Sequence, residues 1–139
     1  MAGTGLVYAQ TKAAPTAVAV YKTSTCGCCR MWVEHLRTNG FQVEAKDVSA
    51  AEVRAVSKAA GLQEADTSCH TAKIGNYIVE GHVPAADIQK MLKEKPAIAG
   101  LSAPGMPQGS PGMETGRSET YNVMAFTKDG KSTVFATHK

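Results

Sequence analysis

The segment TSTCGCCRMW, residues 23 to 32, sets three cysteines in four positions where an apolar run gives way to an amphipathic stretch. Upstream, Ala17 to Tyr21 (AVAVY) has the short, apolar, β-branched character of a buried strand. Downstream, Cys29, Trp32, Val33 and Leu36 recur at i, i+3, i+4 and i+7, one face of a helix, and Asn39-Gly40 supplies its stop. The local order is therefore strand, thiol turn, helix. Thiols packed this densely bind a soft metal, exchange electrons through a C-x-x-C pair, or close a structural disulfide. The rest of the chain has to decide among these.

Further along, Phe41, Val43 and Ala45 alternate with polar residues, the period of a half-buried strand. Ser49-Ala-Ala-Glu52 is a capping box that opens a second helix, with Val53, Val56 and Ala60 inward and Gly61 at its end. Gly75-Asn76 is a two-residue hairpin signal between Thr71 to Ile74 and Tyr77 to Glu80. Pro84 suits the first position of a third helix that buries Ile88, Met91 and Leu92 and stops at Pro96. From Ala97 to Arg117 three prolines and five glycines exclude regular structure, leaving one long loop of the kind that is functional or disordered. Tyr121 to Phe126 and Thr133 to Ala136, joined through Asp129-Gly130, close the chain as a hairpin.

A chain of 139 residues suits one domain, long enough to build a modest core without disulfide staples. A net charge of +3 and 6% aromatics, with no dense basic run, argue against nucleic acid as a partner. No apolar stretch approaches the roughly 18 to 20 residues that span a bilayer, so the mature domain is not expected to insert in a membrane. Val7-Tyr8-Ala9, followed by Gln10, has the small-x-small pattern of a signal-peptidase site. Residues 1–16 are accordingly read as a signal remnant and tail, residues 17–139 as the domain, and the location as periplasmic.

The order β-α-β-α-β-β-α, with cysteines where the first strand meets the first helix, is that of a thioredoxin-like α/β domain. It predicts a mixed central sheet flanked by helices, with the long Gly/Pro/Met loop and the closing hairpin appended. TSTCGCCRMWVEHL, SCHTAKIGNYIVEGHVPA and GLSAPGMPQGSPGME resemble the three signature blocks of the bacterial family called domain of unknown function 411. The resemblance spans roughly residues 17 to 136. It implies an exported metal-binding protein associated with copper resistance; another copper-handling protein is the partner expected for such a role.

The residues themselves supply the ligands. Amides at a helix N-terminus favour negative charge, so Cys28 and Cys29 are placed to act as thiolates. Cys26 pairs with either by spacing, and in a thioredoxin-like fold the loop carrying Cys69 and His70 comes beside that helix. Thioredoxin-type oxidoreductases place a cis-proline in this loop, whereas Thr67-Ser68-Cys69-His70-Thr71 holds none. The substitution disfavours disulfide exchange and favours a metal. Cys26, Cys29, Cys69 and His70 could close a tetrahedral zinc site. Met106 and Met113, set in a Gly/Pro frame with no evident core face, add thioethers that favour Cu(I), the expected cargo, over zinc, the alternative.

Two other readings stay open. One is an exported thiol-disulfide oxidoreductase using the C-x-C-C turn, and the other a structural disulfide joining Cys69 to a turn cysteine. Met31, Met91 and Met124 fall in helix or strand patterns and are assigned to the core, as is Trp32. His35 is assigned to solvent, His138 to a frayed tail, and His82 to a loop hydrogen bond in preference to a ligand role.

Overall fold

The computed structural model describes residues 15–139. The small-x-small pattern at residues 7–9 and nearly all of the expected tail lie outside the described residues. Within them the elements run β1 (Ala17–Lys22), α1 (Gly27–Thr38), β2 (Gln42–Asp47), α2 (Ala50–Ala59), β3 (Thr71–Ile74), β4 (Tyr77–Gly81), α3 (Ala85–Glu94), β5 (Gly100–Ala103), β6 (Tyr121–Phe126) and β7 (Ser132–His138). A short 3-10 turn occupies Glu64–Asp66. The seven strands form one mixed sheet in the order β2-β1-β3-β4-β5-β6-β7. The pairs β1/β2 and β4/β5 are parallel, bridged by α1 and α3, and the remaining neighbours are antiparallel. This sheet is larger than that of a thioredoxin.

The helices follow their patterns in part: on α2 Val53 is buried but Val56 and Ala60 are half-buried and Ser57 is the second buried residue, and on α3 Leu92 is half-buried. Cys29, Trp32, Val33 and Leu36 are all buried on α1. Ser49 caps α2 by accepting the Glu52 amide at 3.1 Å. Ile88 and Met91 are buried on α3, with Pro84 as its N-cap, one place before the position expected. Val18, Val20, Ile74, Val79 and Leu101 bring the sheet's share of the core, and fully burying a side chain of this kind is worth about 1.5–3 kcal/mol.

Five expectations are corrected. Gly100–Ala103 is not loop but a fully buried strand between β4 and β6. Four residues with one large side chain are too short to show a period, and Gly100 is there because a Cβ would fall 1.7 Å from the Ile78 carbonyl oxygen. Met31 is 58% exposed, because the buried face of α1 runs through residues 29, 32, 33 and 36. His35 is half-buried and accepts the Ala85 amide at 3.0 Å, capping α3, a helix whose N-cap proline has no side-chain acceptor. His138 is held in β7, 2.6 Å from Asp87 and stacked on Tyr121. On the edge strand β2, Ala45 is exposed while Phe41 and Val43 are buried.

Candidate metal centre

The three clustered cysteines sit at the N-terminus of α1, where Cys26 is the N-cap in extended conformation. Cys26 and Cys29 are joined as a disulfide, which leaves Cys28 and Cys69 as free thiols. Of the readings left open, a disulfide from Cys69 to a turn cysteine is therefore not formed; the bond lies inside one turn, as a C-x-x-C pair. Cys28 Sγ lies 3.5 Å from Cys26 Sγ, 3.9 Å from Cys69 Sγ and 3.7 Å from Met106 Sδ. Cys29 Sγ lies 3.8 Å from the Cys69 carbonyl oxygen, so the helix turn and the Cys69 loop are in contact.

The other half is set by the β3–β4 hairpin. Its two-residue turn fixes a register in which Ile74 faces Tyr77 and Thr71 faces Glu80. Continued outward, that register brings position 69 opposite position 82. Cys69 Sγ is indeed 3.3 Å from His82 Nε2, and it is 3.4 Å from Nδ1 of the adjacent His70. Both imidazoles are completely buried. Trp32 packs on His70 at 4.5 Å between ring centroids and donates its indole N–H to the Val83 carbonyl at 2.9 Å.

Each ring is oriented from behind. His70 Nε2 is 3.0 Å from the Gly81 carbonyl, and His82 Nδ1 is 2.7 Å from the Pro111 carbonyl. A carbonyl oxygen can only accept, so each of these nitrogens carries the proton, and the nitrogen facing Cys69 keeps its lone pair. Metal-ligating histidines are held in this way by their outer neighbours. Burial lowers the His70 pKa to about 3 and also lowers that of His82, which keeps both rings neutral. Burial pushes the Cys69 thiol up to about 12, so a bound cation must displace its proton.

Glu80, which the sequence reading did not single out, fixes the Cys69 loop. Its buried carboxylate accepts the Ser68 amide at 2.8 Å and the Ser57 hydroxyl at 3.0 Å, together with the Thr71 hydroxyl. Arg54 approaches it at 3.9 Å from the surface. Burial raises the Glu80 pKa. Ser68 in turn donates its hydroxyl to the Gly105 carbonyl at 2.5 Å, and the Gly105 amide bonds to Thr67 at 3.2 Å. These bonds place Met106 beside Cys28. Gly112 lets the same loop close on the site, since at φ +91° its Cβ position lies 2.8 Å from the Cys28 carbonyl and 2.9 Å from His82 Nδ1.

The donor atoms of Cys26, Cys28, Cys29 and Cys69 lie within 4.8 Å of one another, and so do those of Cys69, His70 and His82. Cys69 belongs to both sets. Met106 is at the cluster, half exposed; Met113 enters only through backbone bonds with Gly109 and Ser110 inside the loop. His82 is the residue whose placement departs most from the sequence reading. It keeps its loop hydrogen bond through Nδ1 and presents Nε2 to Cys69. The donor set, thiol sulfur with neutral imidazole and a thioether beside it, fits a soft or borderline cation.

The protein family described as Protein of unknown function, DUF411, matches residues 67–113, the stretch that holds Cys69, His70, His82 and Met106. No curated protein matches the chain. Two solved structures of copper resistance protein copG do. Form 2 is 44% identical with a TM-score of 0.82, over 90% of this chain and 99% of that one. Form 1 is 43% identical with a TM-score of 0.82, over 89% and 98%. Identity at that level, sustained across nearly the whole of the solved chains, makes this protein a member of the DUF411 copper-resistance family.

Proposed function

We propose that the protein captures Cu(I) on cysteine sulfur in the periplasm, and holds it or hands it to another copper-handling protein as part of copper resistance. The observation that carries the reading is Cys69, a free thiol with Cys28 on one side and the lone pairs of two buried, neutral histidines on the other. Cys28, Cys69, His70 and His82 are the ligands available while Cys26 and Cys29 are bonded to each other. Reduction of that pair adds two thiols to the same cluster. The Met106 thioether favours Cu(I) over zinc. The name of the solved relatives, copper resistance protein, points the same way.

The neighbouring strands β2-β1-β3-β4, with the thiol turn between β1 and α1, support a thioredoxin-like core to which β5, β6 and β7 are added. The Cys26–Cys29 disulfide supports export, because such bonds persist in oxidising compartments. The test is anaerobic titration of the reduced protein with Cu(I) and with Zn(II), read by native mass spectrometry. Cu(I) retained in preference to zinc is the expected result, and zinc retained in preference overturns the choice of cargo.

A second reading, thiol-disulfide oxidoreductase, is favoured by the same disulfide at a helix N-terminus. Catalysed dithiol oxidation by the metal-free protein, abolished in Cys26→Ser, would select it.

A further inference from the structure

Three large hydrophobic side chains are exposed among the described residues, and two of them, Met31 at 58% and Met106 at 51%, belong to the helix and the loop that meet at Cys28. Met106 Sδ lies 3.7 Å from Cys28 Sγ. Met31 follows Cys28 by three residues on α1, and side chains so spaced are neighbours, with Cβ atoms about 5–6 Å apart. Long helical side chains lean back toward the preceding turn, which for Met31 is the turn that carries Cys28. Below Cys28 come Cys69, half-buried, at 3.9 Å, and then the two fully buried histidines. The donors therefore descend from exposed thioether to half-buried thiol to buried imidazole. Isolated surface methionines call for no explanation. Two exposed soft donors on the elements that meet at Cys28, a free thiol of a soft-metal cluster, do.

We propose that Met31 and Met106 form a port through which a monovalent soft cation, Cu(I), enters from a carrier with weak, exchangeable ligands and passes to Cys28. Thioethers are neutral at every working pH, so they bind the ion with no proton to lose. Transfer onward exchanges a copper–thioether bond for a copper–thiolate bond, and the Cys28 proton leaves to water. No electron moves, and copper stays Cu(I) throughout. Zinc gains little from thioether sulfur and is not helped by the port. Met31 thus governs the rate of loading, while the buried donors govern its equilibrium.

The inference rests on the Cu(I)-binding reading above, and the experiment separates the two. The full, reduced chain is mixed anaerobically with the Cu(I) complex of bicinchoninate, and loss of the complex's colour is followed by stopped flow and at equilibrium. Met31→Leu keeps the bulk and helix preference of an exposed residue and so preserves the fold. It is expected to slow uptake by about tenfold while leaving equilibrium affinity within about twofold and zinc uptake unchanged. Met31→Leu combined with Met106→Leu is slower still. Uptake by Met31→Leu at the parental rate, or equal slowing for zinc, overturns the port and leaves the Cu(I) reading standing. A parent protein that takes no copper from the complex at equilibrium overturns both.

Discussion

At the start of α1, three cysteines share one turn with an exposed methionine nearby, and two of the sulfurs are bonded to each other. Across from them, at the open end of the β3–β4 hairpin, Cys69 and two histidines are held by the sheet register, by backbone carbonyls and by a buried carboxylate. The first region can change its number of thiols by making or breaking one bond. The second has a single thiol and an environment that fixes each donor atom. The contrast teaches that capacity and pre-organisation are supplied by different elements, and that Cys69, the one residue common to both, couples them.

The largest expected effect therefore falls on Cys69. Cys69→Ser removes the shared sulfur and should weaken Cu(I) binding by more than about 100-fold, beyond the range typical of outer-neighbour changes. Because Cys69 is free, no disulfide is lost and the thermal midpoint should stay near the parent's. A variant that keeps parental affinity in a chelator competition would mean the helix turn alone makes the site. One that instead loses the roughly 2 to 5 kcal/mol of a removed disulfide would revive the structural role for Cys69.

Acid should separate the two regions next. His70 and His82 have pKa values lowered by burial, from 6.5 to about 3 for His70. The unfolded chain takes up protons below about pH 6.5 that the folded chain refuses, so these groups stabilise the fold fully above that pH and lose their contribution as pH falls toward 3. His35, lowered in the same way, adds to the trend. Glu80 runs the other way, since its raised pKa lets the folded protein hold a proton more readily, a contribution that is lost as pH rises. Three histidines against one carboxyl predict that the metal-free protein is less stable to urea at about pH 5 than at about pH 7. Stability that is flat or rises on acidification would show that these rings are not held neutral.

Gly112→Ala probes how the loop supports the hairpin half. A Cβ there meets the Cys28 carbonyl and the His82 ring in a backbone conformation that side chains avoid, so the loop must withdraw and the Pro111–His82 bond must lengthen. Losing an outer partner of a ligating histidine typically costs about 10- to 100-fold in metal affinity. The expected result is a loss in that range with the helix-turn disulfide unaffected. Parental affinity would show that His82 needs no support from the loop.

How much of this was legible in the sequence varies with the kind of signal. The face of α1 followed from residues 29, 32, 33 and 36, because a buried helix face repeats regularly. The Gly75-Asn76 turn gave both strands of the hairpin, and counting outward from it brings Cys69 opposite His82. That register is present in the chain, yet sequence alone points His82 to a loop hydrogen bond, because one histidine outside a strand has no period to mark it. Gly100–Ala103 was missed since a four-residue strand paired on both sides needs no amphipathic pattern. Glu80 looked like an ordinary strand carboxylate. Its role appears only once Ser57, Ser68 and Thr71 converge on it from three segments.

The smallest effects should distinguish the two loop methionines, which the sequence could not tell apart. Both stand in the same Gly/Pro frame, yet their surroundings differ. Ser68 and Thr67 pin Gly105, and the next residue, Met106, places its sulfur 3.7 Å from Cys28. Met113 accepts the Gly109 amide and donates its own to Ser110, both at 2.8 Å, so its backbone shapes the loop with no need of its sulfur. Leucine keeps the volume of methionine and removes the thioether, which isolates sulfur chemistry from packing. Met106→Leu should weaken Cu(I) by about threefold, a fraction of the tenfold that corresponds to 1.4 kcal/mol, and leave zinc unchanged. Met113→Leu should leave both unchanged, as measured by chelator competition. If Met113→Leu weakens Cu(I) as much as Met106→Leu does, the loop closes further over bound metal than its backbone bonds suggest, and the sulfur half of the site then extends from the helix turn to the far side of the loop.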